Sequence, residues 1–450
     1  MRKMLPLLFG LLMATATLAG PIESGPLTPL SGDAAGAGFH PDVAGDGQGG
    51  FLVVWQRGGN YLGTAGGDLF ARRIELDGRP SGAAPRVISH APGSQERPRI
   101  AFAHGLYLVV WQDLRNGRDW DVYAARITPE GRNLDPQGIR IAGGPDNQAL
   151  PVVAAANNGF LIVWQDRAGS RFYRLAWAGV NGKGQVRPGK ILRYQGPDAG
   201  LWQGYTPGWG YGKLPLDTDR PASGELHGGQ PELSRSKDGW TLAWVDESNW
   251  APGNQGGITR RFARLRETGD GPRVEALLRP ESNAIGRSGG HFARGHGRLL
   301  YAGWGILNRG VSVATALLLE DGGLQPLANP NPEPPRFGAG WKPARAISLF
   351  QPGFGITGSV ATAPTRNGFL VAAAGDPRLP PPHRLRIYAS RLDAEGRRLD
   401  RHPDWPILHQ GQSTPANPAL AASGDSLLLA FEQDDASGSR RIYARRLRMK

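Results

Sequence analysis

The chain has 450 residues and no cysteine. That absence excludes disulfides, Cys-ligated zinc, iron–sulfur clusters, thiol catalysis and lipid anchoring through Cys. Long apolar runs are also missing. The longest, Met4 to Met13, falls well short of the ~20 residues a bilayer-spanning helix takes. No phosphate loop, His-Glu-x-x-His helix or Gly-x-Ser-x-Gly elbow occurs, and neither does a sialidase-type Ser-x-Asp-x-Gly-x-Thr-Trp box. No dense Lys/Arg run with interleaved aromatics occurs, which argues against a nucleic-acid partner. The nine histidines are scattered. The only close pair, His291 and His296, is spaced to fall on opposite faces of a strand, which does not suit one shared metal.

What is present is positive charge and turn-formers. The formal net charge is +13, mostly from arginine. Two readings of that charge stay open: arginines spread over solvated faces, or attraction to an anionic partner such as an acidic glycan or envelope polymer. Arg2 and Lys3, the apolar stretch after them and Thr17-Leu18-Ala19 read as a secretory signal peptide over residues 1–19. The mature chain is therefore expected to be exported to the periplasm, the cell surface or the medium, as a monomer without a membrane span. Glycine (66) and proline (38) punctuate short strand-like runs and do not gather in one block.

One phrase recurs. It reads GFLVVWQ ending at Gln56, GLYLVVWQD ending at Asp113, GFLIVWQD ending at Asp166 and GWTLAWVD ending at Asp246. The Trp follows a Pro by thirteen residues in Pro98–Trp111, Pro151–Trp164 and Pro231–Trp244, and by fourteen in Pro41–Trp55. Three degenerate copies keep the spacing of thirteen: His291 to Trp304, Val360 to Ala373 and Pro418 to Phe431. A fixed long period marks a repeat architecture. Each unit reads as four antiparallel strands, a to d, because β-branched and aromatic residues alternate between Gly/Asn/Asp joints. Seven such units over residues 20–450 predict a single all-β domain, a seven-bladed β-propeller. The last unit lacks a strand d, while Gly25-Pro-Leu-Thr-Pro-Leu30 reads as a strand d with nothing before it. The N-terminal segment is therefore expected to complete the last blade, hiding an edge that would otherwise be unpaired. An open solenoid or two smaller barrels are the alternatives.

The phrases VVWQD, DVYAARI and GRNLDPQGIRI resemble the repeats of secreted bacterial β-propeller-like proteins, best over residues 41–188. That resemblance implies the propeller fold and export. The family carries no single assigned activity.

The tryptophan row is expected to pack blade against blade. The strand-c arginines (Arg73, Arg126, Arg264, Arg391, Arg446) are expected to pair with the aspartates that follow the tryptophans (Asp113, Asp166, Asp246). The acidic turn Asp113–Asp121 offers oxygen ligands for Ca²⁺, the one metal considered; otherwise no cofactor is expected. Function is expected at the variable b–c and d–a connections, which share one end of a propeller. Two long insertions, at about 194–229 and 328–355, read as d–a connections. The first carries Trp202, Tyr205, Trp209 and Tyr211, then Asp217, Asp219, Glu225 and His227; the second carries Trp341, Phe350 and several arginines. The b–c connection of the fourth unit adds Asp246, Glu247 and Trp250. Aromatic planes beside polar groups suit sugar rings, so Trp202, Tyr205, Trp209, Tyr211, Trp250 and Trp341 are the candidate ligand contacts. Asp217, Asp219, Glu225, Asp246 and Glu247 are the candidate acid–base carboxylates, should the protein cleave a polysaccharide by hydrolysis or elimination. A glycan, or an envelope or protein partner, bound through this face is the leading expectation; an enzyme and a purely architectural envelope protein are the others.

Overall fold

A computed structural model describes residues 21–32, 37–59, 66–168, 173–196, 224–246, 259–278, 288–306, 312–328, 330–331, 347–350, 355–376, 386–400, 405–411 and 413–450. It forms seven antiparallel sheets whose strands follow one another in sequence order, and no helix occurs among the described residues. The innermost strands are Gly38–Gly45, Gln95–Ala103, Gln148–Ala156, Gly229–Ser236, Ser288–Gly295, Gly355–Thr365 and Ala416–Ser423. Each touches the innermost strand of the next sheet, and the last touches the first, so the ring is closed. This is the seven-bladed propeller.

Closure uses the N-terminal segment. Thr28 and Pro29 pair with Ala444 and Tyr443, and Ile22–Ser24 pair with Met449–Leu447. Two further backbone bonds, Gly25 N to Arg446 O and Leu30 N to Ile442 O, both 2.8 Å, complete the outer edge of blade 7.

The core is divided. Among the described residues the buried apolar side chains form seven clusters, one at each seam between neighbouring blades. Trp55 faces blade 7, Trp111 blade 1, Trp164 blade 2 and Trp244 blade 3, as the repeat predicts. Where blade 6 has Ala373, the seam is filled by Tyr388, Phe350 and Trp405. Phe350, read from sequence as part of an insertion, is thus a packing residue.

The recurring proline has a specific cause. In five blades strand a contains a β-bulge whose first residue is left-handed: His40 (φ 51°), Arg97 (56°), Leu150 (50°), Gln230 (50°) and Asn417 (46°). Each precedes a buried proline: Pro41, Pro98, Pro151, Pro231 and Pro418. A bulge leaves a residue out of the ladder, so a proline there gives up no hydrogen bond. The N–H of the left-handed residue is claimed by the blade before it. Gln56 accepts from Arg97 N (3.0 Å), Gln112 from Leu150 N (3.2 Å), Gln165 from Gln230 N (3.2 Å) and Glu432 from His40 N (2.9 Å). The residue after the Trp position therefore clamps one blade to the next.

Three expectations are corrected. First, the strand-c arginines bond mainly within their own blade and not to the aspartates after the tryptophans. Arg126 donates to Asp135, and Arg391 to Asp400, through both the backbone N–H and the guanidinium. Asp113 instead accepts from the indole of Trp111 (2.7 Å) and from Arg115. The Asp of the Leu-Asp phrase lies nine residues beyond the arginine, in the connection between strands c and d. Second, blade 5 is out of step by one. His291 pairs with Ala302, just as Val152 pairs with Val163 and Glu232 with Ala243. Gly303 thus occupies the tryptophan position, and Gly290, not His291, stands in for the proline. A Cβ on Gly290 would lie 1.9 Å from the Tyr301 hydroxyl, so the tyrosine fills the space a proline takes elsewhere. Third, Ile347–Ser348 is strand d of blade 5, paired with Thr315 and Ala316. In chain order residues 328–346 therefore precede strand d of blade 5, and the d–a connection begins only after Ser348.

Candidate functional site

Strand a runs from the d–a connection to the a–b hairpin, so the b–c and d–a connections emerge together at its starting end. The opposite end carries a–b hairpins locked by blade-to-blade contacts, such as His104 to Ala156 O (2.8 Å) and His296 to Thr365 O (2.9 Å). His296 is therefore a structural link, remote from His291.

The sequence-predicted site falls mostly outside the described residues. Trp202, Tyr205, Trp209, Tyr211, Asp217 and Asp219 lie there, as do Glu247, Trp250 and Trp341 and the signal segment 1–19. For Asp246 the backbone alone is described, at the end of strand b of blade 4, paired with Thr259. The stem of the first insertion is described. Tyr194 N bonds Gly224 O (2.8 Å), Leu226 N bonds Leu192 O (3.0 Å) and Leu175 N bonds Leu226 O (2.9 Å). Residues 195–223 therefore leave from and return to the loop-bearing end of blade 3. Glu225 sits in that stem with its side chain 5% exposed, 2.7 Å from Arg193 and 3.8 Å from Arg174. It is an ion-paired residue of the stem.

The acidic turn Asp113–Asp121 is occupied by its own side chains. Besides the bonds to Asp113, Asn116 donates to Asp119 (2.7 Å) and Arg140 to Asp121 (3.1 Å). Among the described residues no three His, Asp or Glu side chains converge as metal ligands.

The structure adds a cluster that was not singled out from sequence. In six blades the residue that resumes the ladder after the bulge stands at the equivalent position of strand a: Asp42, Arg99, Val152, Glu232, His291 and Ala419. Arg99 crosses the channel from there. Its Nη1 and Nη2 donate to both oxygens of Glu232 in blade 4 (3.1 and 2.6 Å), and its Nε donates to Asp42 in blade 1 (3.2 Å). Asp42 also accepts the N–H groups of Val43 (2.9 Å) and Ile100 (3.0 Å). The arginine side chain is 27% exposed, with Asp42 at 15% and Glu232 at 11%.

The electrostatics follow from this placement. Burial opposes the charge on Arg99, but Glu232 and Asp42 outweigh it and its pKa is raised. Burial likewise opposes ionisation of Glu232, yet Arg99, His291 and Arg260 hold its pKa below the usual range. His291 is pushed down by burial, helped by Arg99 and Arg260 against Glu232 and Asp42. Burial raises Tyr301, beside this group, to about 12. Nearer the loop-bearing end lie the left-handed residues His40, Arg97, Gln230 and Asn417. Gln230 is exposed; His40 is lowered to about 3 by burial and by Arg97. Non-glycine residues held at positive φ cost of order 1–3 kcal/mol each, and such strain concentrates at functional sites. The cue in the sequence was the charged residue after the recurring proline in three copies (Asp42, Arg99, Glu232), hidden by the assignment of His291 to the proline's place.

No family model matches the chain, and no curated protein matches it. Solved structures similar to it include a protein of unknown function from Dyadobacter fermentans, at 12% identity over 95% of this chain and 99% of that one, TM-score 0.47. A polysaccharide lyase is similar at 10% identity, covering 96% and 99% of the two chains, TM-score 0.47. The Trypanosoma rangeli sialidase is similar at 10% identity over 95% of this chain and 60% of its own, TM-score 0.42. At these identities the likeness carries no argument about activity.

Proposed function

We propose that the chain is an exported binding propeller that holds a glycan at its loop-bearing end. The observation that carries this reading is topological. The stem that flanks the insertion 195–223, on blade 3, and the end of strand b of blade 4 both lie at the end of the propeller where the innermost strands begin. A rigid scaffold, aromatic planes on its variable connections and hydrogen-bonding groups below them are the ingredients of sugar recognition. Trp202, Tyr205, Trp209, Tyr211 and Trp250 supply the stacking planes in this reading.

The test is a glycan-array screen of residues 20–450, followed by calorimetry on any hit. Binding should weaken strongly when Trp202→Ala and Trp209→Ala are combined. An array with no hit, or a hit indifferent to that double variant, would remove the proposed site.

A further inference from the structure

Part of the net charge of +13 stands along the outside of blades 1–3, at the end away from the b–c and d–a connections. Every a–b and c–d connection of these three blades is described. Their outermost strands are Arg86–Ser89, Ile139–Ala142 and Val186–Ile191. The blades are joined there from turn to strand. Asn133, in the c–d connection of blade 2, donates to Ile88 O of blade 1 (2.9 Å), and Arg86 lies against Gly131 of the same connection. Arg126 of blade 2 donates to Gly182 O in the c–d turn of blade 3 (2.9 Å), and the outer strands of blades 2 and 3 touch. One continuous wall results.

Along it Arg86, Arg132, Lys183, Arg187 and Lys190 are exposed, and among the described residues none of the five forms an ion pair. Arg187 rests over the ring of the buried Trp177, 5.5 Å from its centroid. The acids within the wall are largely taken: Glu75 by Arg73, Asp121 by Arg140 and Asp135 by Arg126. Glu130 is the exposed exception, lowered by a bond from Thr128 and by the charges of Arg73 and Arg132. Blades 5 and 6 are built the other way beside their c–d turns, where Arg298 faces Glu320 and Arg397 faces Asp393 and Glu395. Unpaired cations on one surface repel each other, and a polyanion removes that repulsion. The a–b hairpins of blades 1–3, nearer the channel at the same end, carry Gln48, His104, Asn157 and Asn158 and no Lys or Arg. The cations therefore follow a line around the wall and do not fill the end face. A flat anionic surface would press on the uncharged hairpins as well, whereas a linear chain needs only the line.

We propose that this wall is a second binding surface, separate from the loop-bearing end, and that it takes a linear acidic polysaccharide. The repeating carboxylates or sulfates of such a chain meet the five cations in turn from blade 1 to blade 3.

The experiment measures binding of residues 20–450 to polygalacturonate, to a sulfated dextran and to phosphatidylglycerol vesicles, each at low and high salt. Arg132→Gln, Lys183→Gln and Arg187→Gln together remove three charges from the wall. Arg118→Gln, Arg366→Gln and Arg448→Gln together remove three exposed charges elsewhere and control for net charge. All six positions are exposed, so both variants should melt as the wild type does. The acidic chains should bind at low salt, release at high salt and bind the wall variant about tenfold more weakly, the loss of three exposed ion contacts of modest strength each. The control variant should bind them as the wild type does. Equal losses in the two variants, binding that ignores salt, capture by vesicles but by neither polysaccharide, or no binding at all would overturn the proposal. The combined Trp202→Ala and Trp209→Ala variant should leave acidic-chain binding intact. A loss there would move the acidic chain to the loop-bearing end and overturn the wall, while leaving the glycan reading standing.

Discussion

The seam that closes the ring between blades 7 and 1 gives a sharp test of the clamp. Glu432, its side chain 3% exposed, is the acidic member of a set otherwise made of glutamines. It receives the His40 N–H at 2.9 Å, the Asn417 amide at 2.6 Å and Arg440 Nε at 3.1 Å. Glu432→Ala removes three acceptor contacts at once. Arg440 keeps Asp434 and Thr414 O, both at 3.0 Å, so the guanidinium is only partly stranded. A buried donor left without an acceptor costs about 1–3 kcal/mol, and a buried pair broken on one side costs about 3–5 kcal/mol. Glu432→Ala is therefore expected to lose about 3–5 kcal/mol. Glu432→Gln keeps an oxygen for the His40 N–H but turns an amide on Arg440, and should lose about 1–2 kcal/mol. Gln112→Ala, at the seam between blades 2 and 3, frees only the Leu150 N–H and should fall in the 1–3 kcal/mol range. Urea unfolding followed by tryptophan fluorescence measures all three by linear extrapolation. If Glu432→Ala fell within ~0.5 kcal/mol of wild type, or matched Glu432→Gln, the clamp would not be what closes this ring.

Four other outcomes follow from the same geometry. Trp111→Ala should cost about 3–5 kcal/mol by urea unfolding, since it empties a seam and leaves Asp113 without the indole N–H. Asp135→Asn should weaken the bonds to Arg126 and lower stability by about 1–2 kcal/mol, with an equal loss for Asp400→Asn in blade 6 if the latch is common to both. Gly290→Pro should abolish folding alone, by clashing with Tyr301, and be rescued by Tyr301→Val, which gives blade 5 the pattern of its neighbours; failure of the rescue in a thermal melt would contradict the corrected register. His40 titrates near 3 when folded and near 6.5 when unfolded. The unfolded chain then binds more protons over that window, so the contribution is complete above pH 6.5 and is lost as pH falls toward 3. Acid titration of stability should show this slope, and His40→Gln should flatten it.

The sequence alone determined the repeat, and with it the fold. Strand-like runs of β-branched and aromatic residues, tryptophans at a fixed spacing and turn residues at each joint are local signals, and seven copies of a local signal admit few closed arrangements. The unpartnered Gly25–Leu30 segment likewise foretold how the ring closes, because an edge strand needs a partner wherever it lies. The tertiary structure decided which repeated residues do what. The proline proved to mark a bulge, and the glutamine after the tryptophan proved to bond the next blade, a contact between residues about 40 positions apart such as Gln56 and Arg97. Arg126 chose Asp135 over the aspartate after a tryptophan because the c–d connection folds back on strand c, Leu134 N bonding Arg126 O, and brings Asp135 alongside it. Blade 5 slipped by one residue because counting from Trp304 could not reveal that Tyr301 had filled the proline's space. The tie of Arg99 to Asp42 and Glu232 joins three blades across a channel. No linear spacing encodes that contact, because only ring closure brings those three strands face to face.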